Sequence, residues 1–98
     1  MVIQGPKYLE YEQNAGWFLT KPKQPISKPV NVKCIFYRDS ERRVDLTNLL
    51  EAVDDILVKY KVLADDNFKI IAAHDGSRVF IDKKKPRTEI QIESLEEL

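Results

Sequence analysis

Residues 45–60 read DLTNLLEAVDDILVKY, and the spacing of their apolar members decides the element on which the rest of the fold is built. Leu46, Leu49, Leu50, Val53, Ile56 and Leu57 recur at three- and four-residue intervals, which places them on one face of an α-helix. Asp45 precedes the run at the N-cap position, where a carboxylate is favoured. Upstream, VNVKCIFY at 30–37 is rich in β-branched and aromatic residues and alternates at its start, with Asn31 and Lys33 facing away from Val30, Val32 and Cys34; this predicts a strand. Downstream, KVLADDN at 61–67 predicts an extended return, and KIIAAH (69–74), RVFI (78–81) and EIQI (89–92) predict short strands. Asp75-Gly76 predicts a hairpin turn between the first two of these.

Towards the N-terminus, KYLEYEQNAGWFL at 7–19 places Tyr8, Tyr11, Ala15 and Phe18 on one helical stripe, ended by Lys21-Pro22 and Pro25 and followed by an irregular basic loop. The acidic tail from Glu93 to Leu98 is read as helical or frayed. The order helix, strand, helix and three strands predicts an α+β (α/β) layer, a small mixed sheet carrying two main helices. With only four strands foreseen, the sheet is expected to be incomplete or completed by a partner.

The 98 residues suit one domain at the small end of what buries a self-sufficient core. No apolar run approaches a membrane span, and the first twenty residues interleave Lys7, Glu10 and Glu12 with aromatics instead of forming a signal peptide, so a cytoplasmic protein is expected. The lone Cys34 has no internal partner and reads as a buried reduced thiol. Sixteen basic and sixteen acidic side chains cancel, but they come in blocks. Residues 21–43 carry seven basic and two acidic groups, 44–66 two and six, 67–87 six and two, and 88–98 none and four. Two basic blocks flanking an acidic one suit a protein that holds phosphates with cations while offering carboxylates to a metal, although a solvated surface produces such clustering too.

The segment DLTNLLEAVDDIL (45–57), followed by LADD (63–66), resembles the signature of the RusA-like family of Holliday junction endonucleases. In that family an Asp-Leu-Asp-Asn motif opens a helix, a Lys sits on its first turns, another Asp follows and an Asp-Asp pair comes after it. The resemblance places the motif's first Asp on Asp45, its Asn on Asn48, the helix Asp on Asp55 and the pair on Asp65 and Asp66, and covers roughly residues 30–93. It implies a dimeric Mg²⁺-dependent (or Mn²⁺-dependent) nuclease that resolves four-way junctions, with Asp45, Asp65 and Asp66 catalytic and Asp45, Asp66, Thr47 and Glu51 around the metal. Oxygen-only ligands fit such ions. Arg42, Arg43, Lys83, Lys84, Lys85 and Arg87 are the expected DNA contacts. A helix from 48 to 60 and an extended return over 61–66 cover about the same 20 Å, which would bring Asp66 back beside Asp45.

Two departures touch function. Thr47 stands where the family has a second metal-binding Asp, and Glu51 where it has a Lys; Glu51, one turn beyond Thr47, is expected to return the missing carboxylate to that face. The family's opening strand and basic loop are not evident either, so the chain is read as starting late. The reading weighed against the nuclease is a branched-DNA-binding protein of the same fold with weak or no cleavage; a third is an interaction domain with a merely acidic surface. Individually, Asp45 is a common helix cap, Asp54 and Asp55 are common solvated helix charges, His74 a common surface imidazole, and Trp17 and Phe18 common core residues.

Overall fold

The chain, described by a computed structural model over residues 7–12, 16–18 and 22–95, is built on strand β3 (Val30–Arg38), whose two faces have opposite fates. Val30, Val32, Cys34 and Phe36 alternate onto one face and are buried. Helix α1 (Leu46–Lys59) covers that face, with Val53 and Leu57 buried and Leu49, Leu50 and Val58 packed at the margin. Ile90 and Ile92 of β6 (Arg87–Ser94) lie opposite Cys34 and Val32 and complete the same apolar layer. The helix that the three- and four-residue spacing predicts therefore forms, and Val53 and Leu57 of its apolar stripe join the core.

The sheet has six strands among the described residues, and with β1 at Lys7–Glu12, β2 at Gly16–Phe18, β4 at Ile71–Ala73 and β5 at Arg78–Ile81 their order is β2-β1-β6-β3-β4 with β5 also on β3. β6 runs antiparallel to β3, whereas β4 (Ile71–Ala73) and β5 (Arg78–Ile81) both run parallel to it. This is a mixed sheet with a helix, the α+β class expected. Two local readings are overturned. Where a helix was expected at 7–19, β1 (Lys7–Glu12) and β2 (Gly16–Phe18) form an antiparallel pair, and β1 pairs residue for residue with Glu12 opposite Arg87 through Lys7 opposite Ile92. Six backbone pairs on a ready-made strand outweigh a weak helical pattern that includes two tyrosines and Gly16. Residues 13–15 and 19 of that expected helix lie outside the described residues, as do 96–98 of the tail; Glu93 and Ser94 belong to β6. One helix, not two, is present among the described residues.

Asp75-Gly76 is the second correction, because β4 and β5 do not pair with each other. They are successive pieces of one edge on β3, with β4 beside Val30 and Asn31 and β5 beside Ile35 to Arg38. The chain kinks between them, Gly76 taking φ +84°, while Ser77 N–H bonds the His74 carbonyl at 3.2 Å. Side chains fill the interrupted ladder. The buried Asn31 amide donates to the Asp75 carbonyl at 3.1 Å and accepts from Asp75 N–H at 2.7 Å. Cys34 N–H donates to the Ser77 hydroxyl at 3.0 Å, and His74 Nδ1 meets the Val32 carbonyl at 2.8 Å. Side chains thus take over the Val32 carbonyl and the Cys34 N–H where the strand partner is interrupted, as buried polar groups require.

α1 ends in a left-handed turn at Lys61 (φ +63°), where Lys61 N–H bonds Val58 O at 3.0 Å and Val62 N–H bonds Leu57 O at 2.9 Å. These two bonds define a Schellman cap. It drives Val62 and Leu63 into the core, at 1% exposure each. Cys34 is buried as expected, and burial, reinforced by the nearby Asp54 charge, pushes its thiol up to about 12. Among the described residues no helix is long and apolar enough to cross a membrane.

Candidate functional site

Asp45 occupies the N-cap position with extended backbone (φ −88°, ψ 132°), its carbonyl accepting from Asn48 and Leu49 N–H at 3.1 and 3.2 Å. Its carboxylate makes no capping hydrogen bond. The cap reading of Asp45 therefore holds for the backbone only, and the exposed carboxylate is left available. Thr47 and Glu51 follow one turn apart on the exposed side of α1.

Strand directions bring the basic groups to this same end. β3 finishes at Arg38 where β6 begins, Tyr37 lying opposite Arg87, and β5 finishes beside it, Ile81 opposite Arg38. The connector leaving β3 is anchored by the Arg38 guanidinium, which donates to the Arg42 carbonyl, and Asp82 N–H bonds Arg38 O at 2.8 Å. Arg42, Arg43 and the lysine turn at 83–85 therefore gather beyond the sheet end that carries Asp45. Asp82 shapes that turn. Its Oδ1 accepts from Lys84 and Lys85 N–H, each at 3.1 Å, and its Oδ2 accepts from Arg87 at 3.0 Å. The Lys85 N–H, then Arg87, hold its carboxyl below the ordinary range. Arg87, expected as a DNA contact, has its guanidinium committed internally to Asp82 and to Glu89 at 2.9 Å, and it lies 3.8 Å over the Tyr37 ring.

Asp65 and Asp66 are placed elsewhere. The extended return expected over 61–66 does not run back along α1, because the Schellman cap turns the chain sideways. Leu63 bridges Ile26, Ala64 N–H bonds Ile26 O at 2.9 Å, and Ile70 O then receives Val30 N–H at the opening of β3. Both aspartates consequently sit at the C-terminal end of a helix about 21 Å long, opposite Asp45. Asp65 is occupied locally, accepting from Asp66 N–H at 2.7 Å and the Asn67 amide at 3.1 Å; the first of these chiefly lowers its pKa. Among the described residues of one chain, no three His, Cys, Asp or Glu side chains converge as a metal site.

A family model described as Endodeoxyribonuclease RusA matches residues 1–93. The chain belongs to the RusA endodeoxyribonuclease family. No curated protein and no solved structure matches it. RusA membership places the chain among nucleases that resolve Holliday junctions in DNA recombination, and the RusA-like resolvases are generally dependent on a divalent metal. Against that background, the single-chain distribution of the acidic groups does not fit a metal ion: the carboxylates stand at two ends of α1.

Sequence reading missed the pairing of Asp54, expected as a solvated helix charge, with His74, expected at the surface. His74 Nε2 lies 2.9 Å from Asp54 Oδ2, while Nδ1 faces Val32 O. With Val32 O and the Asp54 carboxylate both acceptors, the protonated ring can donate to each, and the arrangement favours the imidazolium over the neutral ring. The Asp54 bond chiefly raises the His74 pKa. Neither Asp54 nor its partner, twenty residues away, carries a local marker in the sequence. With its two nitrogens committed, His74 ties α1 to β3 and is not placed as a general base.

Proposed function

We propose that this chain is a Mg²⁺-dependent (or Mn²⁺-dependent) endodeoxyribonuclease that nicks four-way DNA junctions symmetrically as a homodimer, with each metal site shared between two copies. The observation that carries this reading is the placement of Asp45, free of capping duty, and Asp66 at opposite ends of one helix. Two helices related by a two-fold axis and packed antiparallel set the Asp45 end of one copy against the Asp66 end of the other. Exposed apolar groups are available at both ends: Val44 and Leu46 at one, and Phe68, 77% exposed, at the other. Asp45, with Thr47 and Glu51, from one chain and Asp66, supported by the Asp65 turn, from the second would supply the oxygen ligands. A bound divalent cation there supplies polarisation of the phosphate and a more acidic water. Arg42, Arg43, Lys83, Lys84 and Lys85 lie where a strand held by its phosphates would pass the Asp45 end.

A second reading rests on Thr47 and Glu51. A neutral hydroxyl in place of a carboxylate weakens a hard-cation site, and a carboxylate in place of a lysine repels phosphate, which favours a junction-binding protein that cuts little. Cleavage of a synthetic four-way junction across a Mg²⁺ titration separates the two: paired nicks that Asp45→Asn removes support the nuclease, and tight salt-dependent binding without nicks supports the binder.

A further inference from the structure

Arg87, Tyr37 and Phe80 stand in register on three neighbouring strands, β6, β3 and β5. Their side chains form a layered row across the sheet face away from α1. The Arg87 guanidinium lies 3.8 Å over the Tyr37 ring, and the Tyr37 and Phe80 rings stack with centroids 5.7 Å apart and planes 22° from parallel. The row is rigid at its cationic end, because Asp82 and Glu89 hold Arg87 by its Nη1 and Nε. At the other end, among the described residues, it stops in the open: β5 is there an edge strand, paired only with β3, and Phe80 is 45% exposed.

An aromatic face at the end of a cation-backed stack is a surface for another flat π system. Its surroundings specify which kind. Arg78, two residues before Phe80 and on the same face of β5, is exposed, and the exposed Lys83 and Lys84 follow just beyond the strand. Flat π surface bordered by cations is the chemistry of a nucleotide whose base has left its pair, the base stacking while its phosphate meets the cations. We propose that Phe80 is the platform on which an unpaired base of bound DNA stacks, extending the Arg87–Tyr37–Phe80 row by a fourth layer. This rests on the junction-binding reading above, and adds to it a contact with a base where the basic residues contact only phosphates. Arg87 acts in it as a positioning residue, holding Tyr37 flat against Phe80.

The test compares three four-way junctions bound by the full chain: fully paired, carrying two unpaired thymidines at the crossover, and carrying abasic sites at those two positions so that phosphates remain and bases do not. Wild-type protein is expected to bind the thymidine junction about tenfold more tightly than the abasic one, in keeping with the worth of one stacked base. Phe80→Leu should lose that preference while keeping the salt dependence of binding, and Phe80→Trp should keep both. Equal affinity of wild type for the thymidine and abasic junctions, or a preference that survives in Phe80→Leu, overturns the platform. So does a change in the mass of the free protein on Phe80→Leu, which would make this face a contact between copies. Loss of binding to the fully paired junction by wild type would instead sink the junction-binding reading itself.

Discussion

His74 and Asp54 meet at 2.9 Å across the space between the sheet and α1, and the bond joins two elements through side chains that are only 24% and 15% exposed. The second Asp54 oxygen, Oδ1, is buried and has no hydrogen-bond partner among the described residues. The carboxylate is thus held largely by the imidazolium charge, and this makes the helix-to-sheet contact sensitive to protonation.

Stability should therefore fall as pH rises above the ordinary imidazole range. The folded-state pKa of His74 lies above the ordinary imidazole value of about 6.5, so the protonated ring's contribution is complete below about 6.5 and fades as pH rises through the raised folded value. Urea midpoints between pH 5.5 and 9 will show it. Asp54→Asn should flatten that dependence, since an amide N–H bonds a neutral ring equally well. His74→Ala, which strands the carboxylate, should cost about 2–4 kcal/mol near pH 6. A wild-type profile no steeper than that of Asp54→Asn contradicts the assignment.

Lys61 carries a left-handed backbone that an L side chain adopts at a cost of about 1–2 kcal/mol. Lys61→Gly removes that strain but frees the unfolded chain, so a net gain of up to about 1 kcal/mol is expected, a rise of a few degrees in Tm. Calorimetry reads this directly, and a destabilised Lys61→Gly would mean that the Schellman turn does not form as described.

Gly76 is the converse case. Its φ of +84° and the Lys33 methylenes 3.2 Å from where a Cβ would stand make Gly76→Ala unfavourable by about 1 kcal/mol or more. Asn31→Ala removes both bonds that stitch the same kink and should cost about 1–3 kcal/mol. Chemical denaturation of the two variants checks the pair; wild-type midpoints for both would show that the side-chain ladder between β4 and β5 contributes nothing.

Cys34 should be silent towards alkylating and disulfide reagents in the folded protein, because burial keeps the thiol protonated to about pH 12. Labelling by iodoacetamide should begin only where the unfolding transition begins. Rapid labelling of the native chain at neutral pH would place the thiol outside the core.

Subunit mixing tests the shared metal site. Asp45→Asn and Asp66→Asn homodimers should each fail to nick a four-way junction in Mg²⁺. Mixed in equal amounts and co-refolded, they produce heterodimers in which one shared site carries both substitutions and the other carries neither, so single nicks should reappear at about a quarter of the wild-type site number, since about half of the dimers are mixed and each has one intact site. No recovery on mixing would place Asp45 and Asp66 of each working site on the same chain.

Where local chemistry is decisive, the residues of this chain announce their elements. α1 follows from its three- and four-residue apolar spacing, β3 from a β-branched run, and β5 was foreseen at the residues it occupies, Arg78 to Ile81. The family is legible too, from the Asp-Leu-x-Asn opening of α1 and the later Asp-Asp pair. The tertiary structure decided what depends on distant partners. Residues 7–12 carry a pattern compatible with helix and become a strand because β6 presents six complementary backbone positions. Asp66 was expected beside Asp45, but one left-handed residue, Lys61, and the bonds of Leu57 and Ile26 to the chain after it send Asp66 to the other end of the helix. His74 and Asp54 belong to the same class, since no neighbour in sequence marks either one. The physical reason is common to all three. Periodicity reports which way a side chain faces within its own element, whereas the direction of a chain after a turn, and the partner of a buried charge, are settled by contacts made only when the elements pack.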